Sequence, residues 1–253
     1  MSMSEKDTPS FEEQVPEDER GSLVRRLLAA GANAPRELLR TAVNTNGQWA
    51  ATYAERARGT GTEPTEDLVS RTIKAHTMLA RSEGATLALA ITAAEVTSVV
   101  GSAGTLTPGA ALGGLVGDLA GLAWIQTRMV LVVAALNGHD PRDPARYREL
   151  ASLMGVYGAP QADRAAKYVG KGAERVAKRL ILRHLRGERL QAVKALFDLV
   201  GIKFTRTGVL KVLPGLNIPI SAFVNGQATA ALGTKARVYY ETLPPTFSKT
   251  AET

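Results

Sequence analysis

Residues 84–137 read GATLALAITAAEVTSVVGSAGTLTPGAALGGLVGDLAGLAWIQTRMVLVVAALN, and the predicted fold is built around them. It holds most of the contiguous apolar sequence, and glycine recurs in it at every fourth position, at Gly109, Gly113, Gly117 and Gly121. Residues spaced by four lie nearly on one face of a helix. Because glycine has no Cβ, such a face lets a second backbone approach closely, as in helix pairs within membranes. The pattern predicts a glycine zipper that serves hairpin packing or insertion.

The same stretch has the length of a membrane span but not its content. Residues 96–117 are uncharged, and about 20 apolar residues cross a bilayer. However, the polar residues and glycines of 101–108 predict a helix end, a turn and a new helix start. A charged residue at the bilayer centre raises the free energy of insertion by about 2.5–3.5 kcal/mol, whereas each Leu or Val lowers it by only about 0.3–0.6 kcal/mol. With Arg128 in its second arm, spanning is marginal, and we expect a helical hairpin buried in the protein. Shallow or conditional insertion stays open.

Three charged residues interrupt the hairpin. Glu95 lies on the first arm, and Asp118 and Arg128 lie on the second. Because a buried charge needs a partner, we predict a buried polar centre in which Arg128 pairs with Glu95 or Asp118.

Composition favours helices throughout. The chain has 253 residues, of which 45% are hydrophobic but only 5% aromatic, and strands favour aromatic and β-branched residues. We predict an all-α fold, a multi-helix bundle around a glycine-rich central helical hairpin. A mean hydropathy of -0.05 excludes a polytopic membrane protein. The absence of Cys excludes disulfides and thiolate sites. No secretory signal is visible at the acidic N-terminus, so we expect a cytoplasmic protein.

Charge divides the chain unevenly. The net charge is +7, but residues 1–20 hold seven acids and two bases, which leaves 29 bases and 17 acids elsewhere. We predict a disordered acidic tail over 1–20, a single helical domain over 21–242 and a loose C-terminal tail over 243–253. A basic body favours an anionic partner: nucleic acid, an acidic lipid surface or an acidic protein. Solubility alone is the alternative explanation.

Caps and apolar periodicity locate the other helices. They predict helices that begin at Ser22, Pro35, Thr65, residue 85, Pro144 and residue 188, and a last helix over 219–242. The helix from Pro144 is expected to continue to Tyr157. Asp143 caps it and Asp140 is a turn residue. His76 falls on an apolar face, which predicts a core histidine bonded to a carbonyl rather than a ligand.

A basic stripe lies between the fifth and sixth of these helices. Its members step by three or four residues and share one helical face: Arg164, Lys167, Lys171, Arg175 and Lys178. The opposite side is apolar. Such a helix binds an anionic membrane or a nucleic-acid backbone, or it is simply a solvated face.

The search for chemistry finds no catalytic motif. The ladder over 109–121 lacks a preceding strand and is no dinucleotide fingerprint, and Gly170-Lys171 lacks the frame of a Walker loop. Three widely spaced histidines and no Cys disfavour a metal site. We therefore predict a protein that is not an enzyme, with no catalytic residues, no cofactor and no metal.

Two segments carry a resemblance to a known family. The first contains Asp118, Trp124-Ile125-Gln126 and Arg128, the apolar run to Leu136, and Asn137-Gly138-His139-Asp140-Pro141-Arg142-Asp143-Pro144. The second contains Lys211, Pro214, Asn225, Thr229, Leu232-Gly233, Ala236 and Tyr239-Tyr240. With these motifs, residues 65–242 resemble the EcsC-like bacterial protein family, although Asn137 stands where that family often has tyrosine. The resemblance implies an accessory protein of bacterial membrane or secretion systems and supplies no active site.

Two functions follow from these patterns. The first is a non-enzymatic, membrane-associated accessory protein. It docks peripherally on the inner face of the cytoplasmic membrane, or on a membrane-protein complex, through the basic face and the glycine-rich hairpin, which also suits a homo-oligomer. The alternative is a soluble helical carrier of an apolar small molecule or lipid, whose acidic head pairs with Arg128. Nucleic acid ranks third as a partner because no recognised motif is present.

Overall fold

A computed structural model describes residues 17–59, 63–100, 108–155, 187–201 and 218–245. These ranges are helical and contain no strand, which confirms the all-α fold class for the part described. The helices are α1 (Glu17–Ala30), a 3-10 turn (Gly31–Asn33), α2 (Ala34–Gly59), α3 (Thr65–Val100), α4 (Pro108–Leu136), α5 (Ala145–Leu153), α6 (Glu188–Leu199) and α7 (Ile218–Thr242).

Helix α4 is the centre of the bundle. It contacts α1, α2, α3, α5, α6 and α7, and every residue from Leu119 to Leu136 is buried. Within the described residues it is also the one helix whose segment, Val116–Leu136, is long and apolar enough to cross a membrane. That segment is buried inside the protein, and a helix that is apolar all round needs such cover. Helix α4, the second arm of the expected hairpin, also packs on α3; the turn at 101–107 and the side chains of the first arm, 84–100, lie outside the described residues.

Helix α3 is a single helix of 36 residues. The prediction of a separate helix from residue 85 is wrong, because Gly84 lowers helix propensity by only about 1 kcal/mol and no proline interrupts the backbone. Helix α7 runs antiparallel along α3. Gly226 packs on Arg81 and Gly233 packs on Ile73. Farther along α7, the Arg237 guanidinium donates a hydrogen bond to the Glu66 carboxylate at 2.5 Å, near the start of α3.

Helices α4 and α7 run parallel. The Gln126 amide donates to the Thr229 hydroxyl at 3.4 Å, and one helical turn later Gly233 lies against Met129. A Cβ at Gly233 would stand 2.7 Å from Ile73 Cγ2 and 3.2 Å from Met129 Sδ. Gly233 therefore allows α3, α4 and α7 to meet at one point.

Only part of the predicted glycine zipper lies among the residues whose surroundings the structure describes. A Cβ at Gly117 would meet no heavy atom within 4 Å among the described residues, so close contact is not seen at this position. Gly121 is buried. The surroundings of Gly109 and Gly113 lie outside the described residues, and for these positions the zipper stays a prediction.

Three boundaries differ from the predictions. Helix α1 begins at Glu17 rather than Ser22, so residues 17–20, which were assigned to the disordered tail, are helical. The first three residues of the helix are acids, and negative charge stabilises the positive end of a helix dipole. Helix α5 ends at Leu153 and not Tyr157, because Gly155 adopts φ +77. At the C-terminus, Leu243 packs on the core and Pro245 lies against Gly138, so the first residues of the segment predicted as a loose tail contact the bundle. Residues 246–253 lie outside the described part of the chain.

Candidate functional site

The C-terminus of α4 is closed by the predicted Asn137-Gly138 cap. The Gly138 amide donates to the Ala135 carbonyl and the His139 amide donates to the Ala134 carbonyl, both at 3.0 Å, and Gly138 has φ +84. This is the Schellman arrangement, which favours glycine. The Arg58 guanidinium also donates hydrogen bonds to the carbonyls of Ala135 and Leu136. The cap turns the chain sharply, so that residues 139–147 lie beside α2.

Two aspartates shape the turn that follows, as predicted. Asp140 Oδ1 accepts from the Arg142 amide at 2.9 Å, and its carboxylate also binds the Arg142 guanidinium at 2.8 and 3.2 Å. Hydrogen bonding to Arg142 is the main reason that the pKa of Asp140 lies below its usual value. Asp143 Oδ1 accepts from the Ala145 amide at 2.7 Å and so caps α5. These bonds set the direction in which α5 leaves the turn.

A buried polar cluster ties this turn to α7. Arg146 is 3% exposed and pairs with Glu149, which also accepts a hydrogen bond from the Tyr240 hydroxyl at 2.9 Å. His139 Nε2 lies 3.3 Å from the Tyr240 carbonyl, and the two rings are 5.3 Å apart. Burial, followed by the effect of Glu149, raises the pKa of Tyr240, so it stays a neutral donor. Burial likewise lowers the pKa of His139.

This cluster joins the two segments that carry the family resemblance. His139 belongs to the first segment and Tyr240 to the second, and about a hundred residues separate them in sequence. Because Arg146, His139 and Tyr240 are buried and Glu149 links Arg146 to Tyr240, the cluster holds the turn on the bundle.

A groove lies on the outer side of the same turn. One wall is formed by Arg40, Asn44 and Gln48 of α2, and the other by Arg142 and Tyr147. Its volume is about 540 Å³, within the usual range of roughly 300–1,000 Å³ for small-molecule sites. At its base Gly47 packs on the Pro141 carbonyl, where a Cβ would stand 3.1 Å away.

Arg128 of the predicted polar centre is buried, but the contact it makes differs from the one predicted. Arg128 is 1% exposed, and its guanidinium carbon stands 3.8 Å from the centre of the Trp49 ring. Desolvated contacts of this kind contribute about 2 kcal/mol. Asp118 lies ten residues earlier on the same helix, about 15 Å away along its axis. The predicted ion pair between Arg128 and Asp118 is therefore wrong, because neither side chain spans that distance. The side chain of Glu95 lies outside the described residues.

The predicted core role of His76 is confirmed. Its ring is buried, and Nδ1 lies 2.9 Å from the Thr72 carbonyl one turn earlier on α3. Burial lowers the pKa of His76 from 6.5 to about 4; the bond to Thr72 opposes this shift and the nearby charge of Arg128 adds to it. His76 is therefore neutral in the folded protein at pH 7.

His76 makes stability depend on pH. Because its pKa is lower in the folded state, only the unfolded chain takes up this proton between pH 6.5 and about 4. Stability should thus fall as pH falls through this window, by about 3 kcal/mol from this group at full effect. Urea unfolding at pH 7.0 and 4.5 measures the loss of stability. The free energy of unfolding of His76→Gln should fall markedly less between the two pH values, because glutamine takes up no proton. An equal loss in both proteins would contradict the role of His76.

The predicted basic face is not within the described part of the chain. Residues 156–186 lie outside it, and with them Arg164, Lys167, Lys171, Arg175 and Lys178. Among the residues that are described, no three His, Asp or Glu side chains are grouped to hold a metal ion.

Sequence reasoning missed the groove. A signal was present, since Arg40, Asn44 and Gln48 recur at every fourth position on a helix. Arg142 was noticed only as part of the turn. The close packing of Arg142 on Gly47 brings it to the same groove as Arg40, and no local pattern reveals that packing.

Comparison of the sequence with models of known protein families, with curated proteins and with solved structures finds no match. The resemblance to EcsC-like proteins therefore stays a hypothesis.

Proposed function

We propose that this protein is a non-enzymatic accessory protein that docks peripherally on the anionic inner face of the cytoplasmic membrane. The supporting observation is the uneven distribution of charge along the chain. The described residues hold 18 bases and 17 acids, whereas residues 156–186 alone hold eight bases and two acids. A near-neutral helical body thus carries a strongly basic segment.

The burial of α4 favours docking by charge over insertion of the hairpin. Insertion of the segment 116–136 would remove it from contact with the helices that surround it and would expose Arg128 to lipid. Each base near an anionic surface instead contributes about 1 kcal/mol, and the helices keep their packing. Docking then weakens as salt screens the surface.

Vesicle sedimentation tests this function with two charge-matched variants. The test variant replaces Lys167, Lys171 and Lys178 by glutamine. The control makes the same change at Lys74, Lys194 and Lys235, which are exposed on α3, α6 and α7. Wild type and control should sediment with phosphatidylglycerol vesicles at low salt, and the test variant should bind about a hundredfold more weakly, as expected for three bases. Failure of the wild type to bind, or equal weakening in both variants, would overturn the proposal.

The alternative function, a soluble carrier of an apolar molecule or lipid, has less support. It places the acidic head of the ligand against Arg128, yet Trp49 covers that guanidinium and only 1% of the residue is exposed. A ligand at Arg128 would have to displace Trp49. Native mass spectrometry of the purified protein would show a retained ligand, and a single species at the mass of the chain would count against a carrier.

A further inference from the structure

The α2 wall of the groove presents polar groups that are not engaged elsewhere. The side chains of Arg40, Asn44 and Gln48 are exposed and make no hydrogen bond or ion pair in the described part of the chain. Two other long side chains of α2 do have partners: Glu37 pairs with Arg26, and Arg58 binds the end of α4. A row with one guanidinium and two amides therefore faces the groove with its donors available.

The opposite wall presents a guanidinium in a fixed orientation. Asp140 binds Nε and Nη2 of Arg142, so Nη1 makes no hydrogen bond to the described residues. The hydrogen bond and charge of Asp140 raise the pKa of Arg142, so the guanidinium stays charged. An arginine that is oriented before binding loses less conformational freedom when it takes a ligand.

The base of the groove sets its width. Gly47 lies against the Pro141 carbonyl and the Arg142 Cα, where a Cβ would stand 3.1 and 3.4 Å away. This close approach holds the Arg142 wall against α2. Apolar Val43 and Pro144 complete the lining beside the polar groups.

We propose that the groove binds a phosphate ester. Arg40 and Arg142 line the groove with two positive charges. Asp140 is bound to Arg142, and the negative charge of Glu55 also acts on Arg142, so the attraction for an anion rests mainly on Arg40. Guanidinium groups pair with phosphate through parallel hydrogen bonds, and amide donors such as Asn44 and Gln48 suit its remaining oxygens. Val43 and Pro144 offer contact to the carbon skeleton of the ester. Where the ester is a lipid headgroup, the inference rests on the proposed membrane function; a soluble ester has no such dependence.

Two probes and two variants test the groove. The probes are sn-glycerol 3-phosphate, followed by NMR titration, and phosphatidylglycerol vesicles, followed by sedimentation. The test variant is Arg40→Gln. The matched control is Arg56→Gln, which removes the same charge from an exposed position on the same helix outside the groove.

We expect Arg40→Gln to weaken binding of at least one probe by about tenfold to a hundredfold, the effect of one charged hydrogen-bond partner. Arg56→Gln should bind like wild type. If Arg40→Gln binds glycerol phosphate more weakly than wild type, a soluble ester is a ligand of the groove. If only its binding to vesicles is weaker, the ligand is the lipid headgroup. Gly47→Ala, which disturbs the base of the groove and keeps every charge, should weaken the same probe.

The outcomes separate the groove from the proposed function. If no vesicle is bound but glycerol phosphate binds through Arg40, the membrane function fails and the groove site stands. If vesicles bind through the basic segment and Arg40→Gln behaves like wild type with both probes, the groove site is overturned and the membrane function stands. Thermal unfolding of each variant must match that of wild type, so that changes in binding are not losses of fold.

Discussion

Replacing Glu149 by glutamine is expected to lower the free energy of unfolding by about 3 kcal/mol. Glu149 is the main partner of Arg146, which is 3% exposed, and the second carboxylate, Asp143, stands farther away at 3.6 Å. Glutamine keeps the size of the side chain but removes the charge. The guanidinium is then buried without full compensation, and that is the reason for the large cost.

The Arg146→Met and Glu149→Gln double variant separates the charge from the packing. Because methionine removes the buried positive charge as well, the double variant should recover part of the stability lost in the single variant. Urea unfolding followed by the fluorescence of Trp49 and Trp124 measures all three proteins. A loss below about 1 kcal/mol in Glu149→Gln would mean that the pair is not buried as described.

Replacing Gly233 by leucine is expected to cost about 3 kcal/mol, at the upper end for overpacked cores. The first added atom alone would stand 2.7 Å from Ile73 Cγ2 and 3.2 Å from Met129 Sδ. These two residues belong to different helices, so α3, α4 and α7 would have to separate to make room. Gly233→Ala should show a smaller loss in the same direction.

The control for this change is Gly117→Ala. Gly117 is also a helical glycine, but a Cβ there meets no described heavy atom within 4 Å. Alanine should therefore stabilise the helix by up to about 1 kcal/mol through its higher propensity. Thermal and urea unfolding of the two alanine variants should give changes of opposite sign. A gain in stability at Gly233 would show that the three helices do not meet closely there.

Short-range patterns predicted the helices well. The starts of α3 and α6 and the end of α4 follow from Thr65, Glu188 and Gly138, because caps and turns act between residues a few positions apart. The cap at Asp143 and the buried bond of His76 were found for the same reason. The break predicted before residue 85 failed because helix propensity is weak compared with the packing of α7 along α3.

Composition and local spacing are enough to predict the all-α class, the apolar central hairpin and the concentration of bases in one segment of the chain. Each of these depends on composition or on a period of three to four residues, and both can be read without knowing which helices touch. Three pairings appear only in the tertiary structure: Arg128 lies over the ring of Trp49 rather than pairing with Asp118, Tyr240 contacts His139, and Arg142 lines the same groove as Arg40. Such pairings join residues far apart in sequence, and they depend on how whole helices pack, which no local pattern contains.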